Sequence, residues 1–221
     1  LLGAITQEKL DEQRGVVQNE KRQGEDQPYG RSFDWLQKGS FPTGHPYSWT
    51  TIGSMEDLSA AKLEDVHEWF KTYYGAANAV IVLAGDIDVA TAKEKMNQYF
   101  GDIPAGPPLV KRGAWVAKRE ENKRDIMYDR VPQVRLIKSW NIPTFGTKEA
   151  DQLELFARVL GGGKNSRLHR TLVYDKQLAT SASANVMQFE LASIFSISVD
   201  VKSGADASIV ENLINDELNK L

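Results

Sequence analysis

The chain has 221 residues, 41% of them hydrophobic and 26% charged, which is enough apolar material for one large or two small cores and excludes a disordered tail. A formal net charge of −3 with both signs interspersed excludes a surface built for nucleic acid or anionic membrane. Cysteine is absent, so disulfides and thiolate metal sites are excluded; only His, Asp and Glu remain as metal ligands, and any redox compartment is compatible.

No apolar run approaches the roughly 18 residues that span a bilayer, and no charged stretch followed by an apolar one opens the chain. The start at Leu1-Leu2-Gly3-Ala4 without a methionine, and the stop inside a helix over 205–221, read as a piece of a longer protein whose signal peptide, if it had one, lies outside the sequence. Ile5 to Gln23 reads as one amphipathic helix. Gln13 and Glu20 are seven residues apart, almost two turns, and so share a face with Val17 between them. Two readings stand side by side. Glu20 is either a surface carboxylate in an i,i+4 pair, or it looks inward and requires a cation, a metal or a donor network.

A short helix follows Tyr29-Gly30. Ser59 is placed to cap a helix with Leu63, Val66, Phe70 and Tyr73 on its apolar side, ending near Gly75. Ala79 to Ala84 is a continuous apolar run, expected to be a strand buried on both faces. Asp88 starts a helix through Met96 to Phe100, closed by Gly101, and the Pro/Gly-rich Ile103 to Pro108 is the best linker candidate. Val110 to Arg124 is a solvated connecting segment whose basic residues are diluted by Glu120, Glu121 and Asp125. Val134 to Trp140 alternates as a strand, and Thr147 caps a helix running to Leu160.

Gly161-Gly162-Gly163-Lys164 is not a phosphate loop, because Arg158 stands where the loop needs glycine and Asn165 where it needs Ser or Thr. The glycines end the helix and let the backbone turn. Ser181 to Phe189 and Ala192 to Val201 are expected to form a hairpin with a tight turn at Glu190-Leu191, and the last helix begins after Gly204. Strands grouped with helices on one side make the class α+β, layered rather than doubly wound. The three histidines supply no motif. His67-Glu68 fails the forward HExxH pattern at Lys71 and the inverted one at Glu64, so His67 is read as an ordinary helix residue; His45 and His169 are read as structural.

The run Arg14-Gly15-Val16-Val17-Gln18-Asn19-Glu20 leads through Tyr29-Gly30, His45-Pro46-Tyr47 and Phe70-Lys71-Thr72-Tyr73-Tyr74 to Asn78-Ala79-Val80-Ile81-Val82-Leu83-Ala84-Gly85-Asp86. With Leu160-Gly161-Gly162-Gly163-Lys164-Asn165-Ser166-Arg167-Leu168 and Asp175-Lys176-Gln177-Leu178-Ala179, this order resembles the zinc metallopeptidase family of pitrilysin, insulysin and mitochondrial processing peptidase. The resemblance implies antiparallel-rich sheets packed against helices in duplicated α/β rolls. Residues 1–108 would be the C-terminal half of a first roll, 109–131 a connecting segment, and 132–221 part of a second.

It further implies zinc held by an inverted His-x-x-Glu-His motif and a third-ligand glutamate, which falls on Glu20. The histidines and the general base would lie about 70 to 80 residues upstream, and the 221 residues contain no such motif. This chain alone is thus expected to be metal-free and inactive, with no catalytic residue of its own. Gln13 stands where many members carry a glutamate, keeping hydrogen bonding without its charge. The arginine and tyrosine that grip substrate and stabilise the oxyanion in active single-chain members fall on Val173 and Thr180, which cannot do so. The parent is therefore expected to hydrolyse peptides or unfolded segments as the zinc subunit of a heterodimer whose homologous partner supplies that pair. The alternative is a noncatalytic assembly subunit like the core proteins of a respiratory complex. Bacterial periplasm and organelle matrix are both compatible locations.

Overall fold

The N-terminal helix forms as α1 (Gln7–Glu25). In the computed structural model, which describes residues 2–221 and so leaves Leu1 outside, it follows a 3₁₀ turn at Leu2–Ala4 and is the first α-helix of an α+β fold with two units. One unit holds the residues up to Lys21 together with Ile52–Lys111; the other holds Arg22–Thr51 with Arg112–Leu221. Residues 22–51 thus belong to the second unit, not with the rest of the stretch 1–108.

In the first unit, α1 turns its Arg14 and Gln18 side toward α3 (Met55–Ala60). The Arg14 guanidinium donates to the carbonyls of Ser59 at 3.2 Å and Ala61 at 2.7 Å, and the Gln18 amide donates to Ser59 Oγ at 3.0 Å. Ser59 is therefore a docking point and not a cap. The chain straightens at Ala61 and Lys62, so two helices form where one was expected. Ser54 caps α3 by accepting from the Asp57 N–H at 2.9 Å. At the start of α4 (Leu63–Tyr73), the Lys62 N–H donates to the Asp65 carboxylate at 2.8 Å.

A 3₁₀ turn, Ala76–Asn78, is tied to the Pro/Gly-rich stretch by bonds from Ala76 N–H to Pro104 O and from Ala77 N–H to Ala105 O, both 3.0 Å. A Cβ on Gly75 would come within 2.3 Å of Ala105 O, so only glycine allows this approach. The expected buried strand at Ala79–Ala84 does not form: the run is exposed and, among the described residues, pairs with no strand. Burial on both faces requires strands alongside, and none of the described residues supplies one. Helix α5 (Val89–Phe100) follows as read, with the Asp88 carboxylate accepting from Ala90 and Thr91 N–H at 2.9 Å each.

The second unit is built on an antiparallel sheet of β1 (Arg135–Ile142), β2 (Ala179–Met187) and β3 (Ser193–Val201), in the order β1-β3-β2. Central β3 pairs Phe195 with Trp140 on one side and Val186 on the other, and Val199 with Leu136 and Ala182. Its odd residues Phe195, Ile197, Val199 and Val201 pack against Ala157 and Leu160 of α6 (Lys148–Gly161) and Val210 and Ile214 of α7 (Ala207–Asn219). Thr147 caps α6 as expected, accepting from Ala150 N–H at 3.3 Å.

The other face of the sheet is also covered. Ile194 packs with Phe41 and Ala117, and Asn141 Nδ2 donates to Ser40 O at 2.7 Å and Ala117 O at 2.8 Å. Ser40 ends α2 (Ser32–Ser40). The β2–β3 connection is wider than the two residues expected, running from Gln188 to Ala192. Its backbone is already engaged: Leu191 N–H donates to Tyr47 OH at 3.1 Å and Leu191 O accepts from Trp115 N–H at 2.8 Å.

Candidate functional site

Glu20 and Gln13 lie on the exposed side of α1, and neither makes a hydrogen bond or ion pair with the described residues. The expectation that Glu20 looks inward therefore fails for this chain. The inward face is carried instead by Leu10, Arg14, Val17 and Gln18, at helical spacing i, i+4, i+7 and i+8. Glu20 is left as an exposed carboxylate without a partner among the described residues.

Around it the described residues do not assemble a metal site. Among the described residues no group of three or more His, Asp or Glu is arranged to hold an ion. His45 is fully buried and both ring nitrogens are occupied: Nε2 lies 2.8 Å from Trp115 O, and Nδ1 accepts from Tyr47 N–H at 3.0 Å. Its ring stacks on Phe41 at 4.4 Å between centroids, which makes it the centre of an aromatic cluster with Tyr47 and Trp115. His67 Nε2 is 3.1 Å from Ile5 O, tethering α4 to the start of the chain. The residues present therefore do not by themselves fit zinc, whose structural and catalytic sites take at least three protein ligands.

Val173 and Thr180 flank the turn from a π-helical segment, His169–Asp175, into β2. Val173 is partly buried against the hydrophobic core, and Thr180 is exposed, its hydroxyl bonded to the Gln133 amide and to Asp200 O. Two charge networks surround them that the sequence reading missed. Arg135 grips Asp200 bidentately, at 2.6 and 3.0 Å, across the β1–β3 register, and Ser181 Oγ donates to the same carboxylate at 2.8 Å. Tyr29, held at φ +63°, stacks its ring 3.7 Å from the Arg135 guanidinium carbon and donates its hydroxyl to Gln133 O at 2.6 Å. Beside the π-helical segment, buried Glu217 accepts from Arg167 Nε at 2.9 Å, Lys220 Nζ at 2.8 Å and Thr171 Oγ1 at 3.3 Å.

A signal for Glu217 was present. Val210, Ile214 and Glu217 fall at i, i+4 and i+7 on α7, the same carboxylate-on-an-apolar-stripe pattern that drew attention to Glu20.

These contacts shift the carboxyl groups. The Arg135 hydrogen bond holds Asp200 below its ordinary range, and the Arg124 hydrogen bond does the same for Glu211. For Glu217, burial pushes upward, but hydrogen bonds from Lys220 and Arg167 outweigh it and the net direction is down. Each native value lies below the unfolded one. The stability they confer is therefore fully present above the unfolded value and is lost as pH falls through the native values. Urea unfolding followed from neutrality to about pH 3 should show the midpoint dropping only in the acid range; an unchanged midpoint there would contradict these networks.

Comparison with known proteins places this geometry. Residues 60–221 match the family described as Peptidase M16 inactive domain. The zinc protease PqqE of Helicobacter pylori is 28% identical over 190 residues, covering 83% of this chain and 42% of that protein. The beta subunit of the mitochondrial processing peptidase of Blastocladiella emersonii is 28% identical over 102 residues, 46% of this chain and 22% of that subunit. The crystal structure of a protease from Helicobacter pylori superposes with a TM-score of 0.79 at 25% identity, over 97% of this chain and 53% of its own. The M16 inactive domain from Pseudomonas fluorescens gives the same TM-score at 20% identity, over 97% of this chain and 52% of its own, a likeness of fold. The chain thus spans about half the length of its relatives. With the matched segment running from α3 to the last residue, the chain belongs to the M16 peptidase family, through that family's inactive domain.

Proposed function

We propose that the parent of this chain is a zinc-dependent metalloendopeptidase acting on peptides or unfolded segments, and that Glu20 is its third zinc ligand. The supporting observation is the Glu20 carboxylate itself: exposed on α1 and free of partners among the described residues, it is open to a ligand from outside this chain. The relatives named as zinc proteases support the same reading. In it, residues 1–108 are the C-terminal half of one roll, 109–131 the connection and 132–221 part of the next. Gln13, one face-repeat before Glu20, tunes the ligand without charge.

Val173 and Thr180 favour a division of labour, since neither donates to a developing oxyanion. The parent then acts as the zinc subunit of a heterodimer, with the missing arginine and tyrosine on a homologous partner. Glu20→Gln in the full-length parent keeps the side-chain volume and removes the charge, so zinc content after dialysis should fall to near zero with unchanged circular dichroism. Gln13→Glu should alter zinc affinity far less. Wild-type zinc in Glu20→Gln would remove Glu20 from the site. A folded wild-type parent that binds no zinc would leave the noncatalytic assembly role in its place.

A further inference from the structure

Residues 22–51 join the second unit from outside its main stretch: the chain leaves the first unit after Lys21, returns to it at Ile52, and rejoins the second only at Arg112. Between those crossings the segment lies as a strap on the sheet face opposite α6 and α7, where Phe41 packs with Ile194 and Ala192. The strap also satisfies polar groups of the stretch beyond Arg112. Leu191 N–H donates to Tyr47 OH at 3.1 Å, Asn141 Nδ2 donates to Ser40 O at 2.7 Å, and Tyr29 OH donates to Gln133 O at 2.6 Å. The bonds of fully buried His45 fix its tautomer. The Tyr47 N–H, which can only donate, meets Nδ1 at 3.0 Å, so the ring proton sits on Nε2 and is donated to Trp115 O at 2.8 Å.

We propose that the second unit is a discontinuous folding unit of 22–51 and 112–221, in which the strap is held by its contacts and not by the covalent link through the Pro/Gly-rich stretch. The stretch that matches the M16 inactive domain begins at residue 60 and so omits the strap. Removing the strap would open Ala192 and Ile194, both fully buried, to water and would strand Leu191 N–H and Trp115 O. A buried polar group deprived of its partner costs more than the bond itself contributes, and the apolar cover of the same face is lost with it. The link, by contrast, takes no part. From Pro107 to Ala114 no backbone hydrogen bond is made among the described residues, and Val110 is 92% exposed. The back of the β1-β3-β2 sheet is therefore a docking surface whose occupant is residues 22–51 of this chain, able to take it even when the chain is cut between the two.

The test uses the full 221-residue chain with the recognition sequence of a site-specific endopeptidase inserted between Leu109 and Val110. After cleavage, the pieces 1–109 and 110–221 should elute together from a gel-filtration column in native buffer and separate in urea. Hydrogen exchange at the Phe41, His45 and Leu191 amides should be as slow after the cut as before it, in step with the amides of β3. Tyr47→Phe keeps the ring and removes the hydroxyl that accepts from Leu191 N–H, so it should raise the dissociation constant of the cut pieces about tenfold. Pieces that part in native buffer overturn the proposal. So do Phe41 and His45 amides that exchange freely while β3 stays protected, and so does a Tyr47→Phe pair that holds as tightly as the wild type.

Discussion

Gly161→Val is expected to strip α6 from the sheet and lower stability by about 3 kcal/mol. Gly161 is the last residue of α6 and is buried where the helix crosses edge strand β2. A Cβ added there would sit 2.1 Å from Ala184 N and 2.6 Å from Ser183 C. Both are backbone atoms of a hydrogen-bonded strand, so no side chain can swing away to relieve the contact. Either the helix lifts, uncovering Ala157 and Leu160, or β2 leaves β3. Urea unfolding by circular dichroism measures the loss; a change below about 1 kcal/mol would mean that the approach of α6 to β2 is not close in solution.

Ile197→Ala should cost about 2–5 kcal/mol, because a fully buried side chain on the central strand leaves a cavity that the surrounding core closes only partly. The informative control is Val82→Ala. Valine and isoleucine carry similar strand preference, yet Val82 is exposed, and its truncation should change the stability of the chain by less than about 0.5 kcal/mol. Thermal or urea midpoints of the two variants side by side decide whether burial or residue type sets the cost. Equal losses would contradict the assignment of the core to the second unit.

The contrast also explains what could be read from the sequence. Helices α5 and α6 were legible because their determinants are local: an Asp88 or Thr147 cap, an apolar period, and a glycine at the end. Ala79–Ala84 was read as a doubly buried strand because its residues are those of one, but burial is conferred by neighbours and not by the segment itself. The cap at Ser59 was misplaced for a related reason. A serine before an apolar period is a local signal, and it was overridden by the long-range bonds from Arg14 and Gln18 that claim Ser59 for α1.

At the site, the pattern of Glu20 and Gln13 on a shared face was visible, while its orientation depended on which side of α1 meets α3. The Arg135–Asp200 and Glu217–Arg167 pairs join residues 65 and 50 positions apart, and the first of them requires the strand register to be known. The β2–β3 hairpin and the α+β class were legible from alternation and spacing, whereas the order β1-β3-β2 depends on long-range pairing that those signals do not carry.

The π-helical turn at His169–Asp175 has an evolutionary consequence. Its wide hydrogen bonding, with Lys176 N–H reaching back to Thr171 O and Leu178 N–H to Leu172 O, houses a residue more than an α-helical turn of the same rise would hold. An insertion or deletion of one residue in this stretch is thereby absorbed before β2 begins, and the pairing of Ala179 with Val201 keeps its place. The turn can accordingly give up its extra residue and close to an ordinary α-helical one without changing which residues of β2 and β3 face each other.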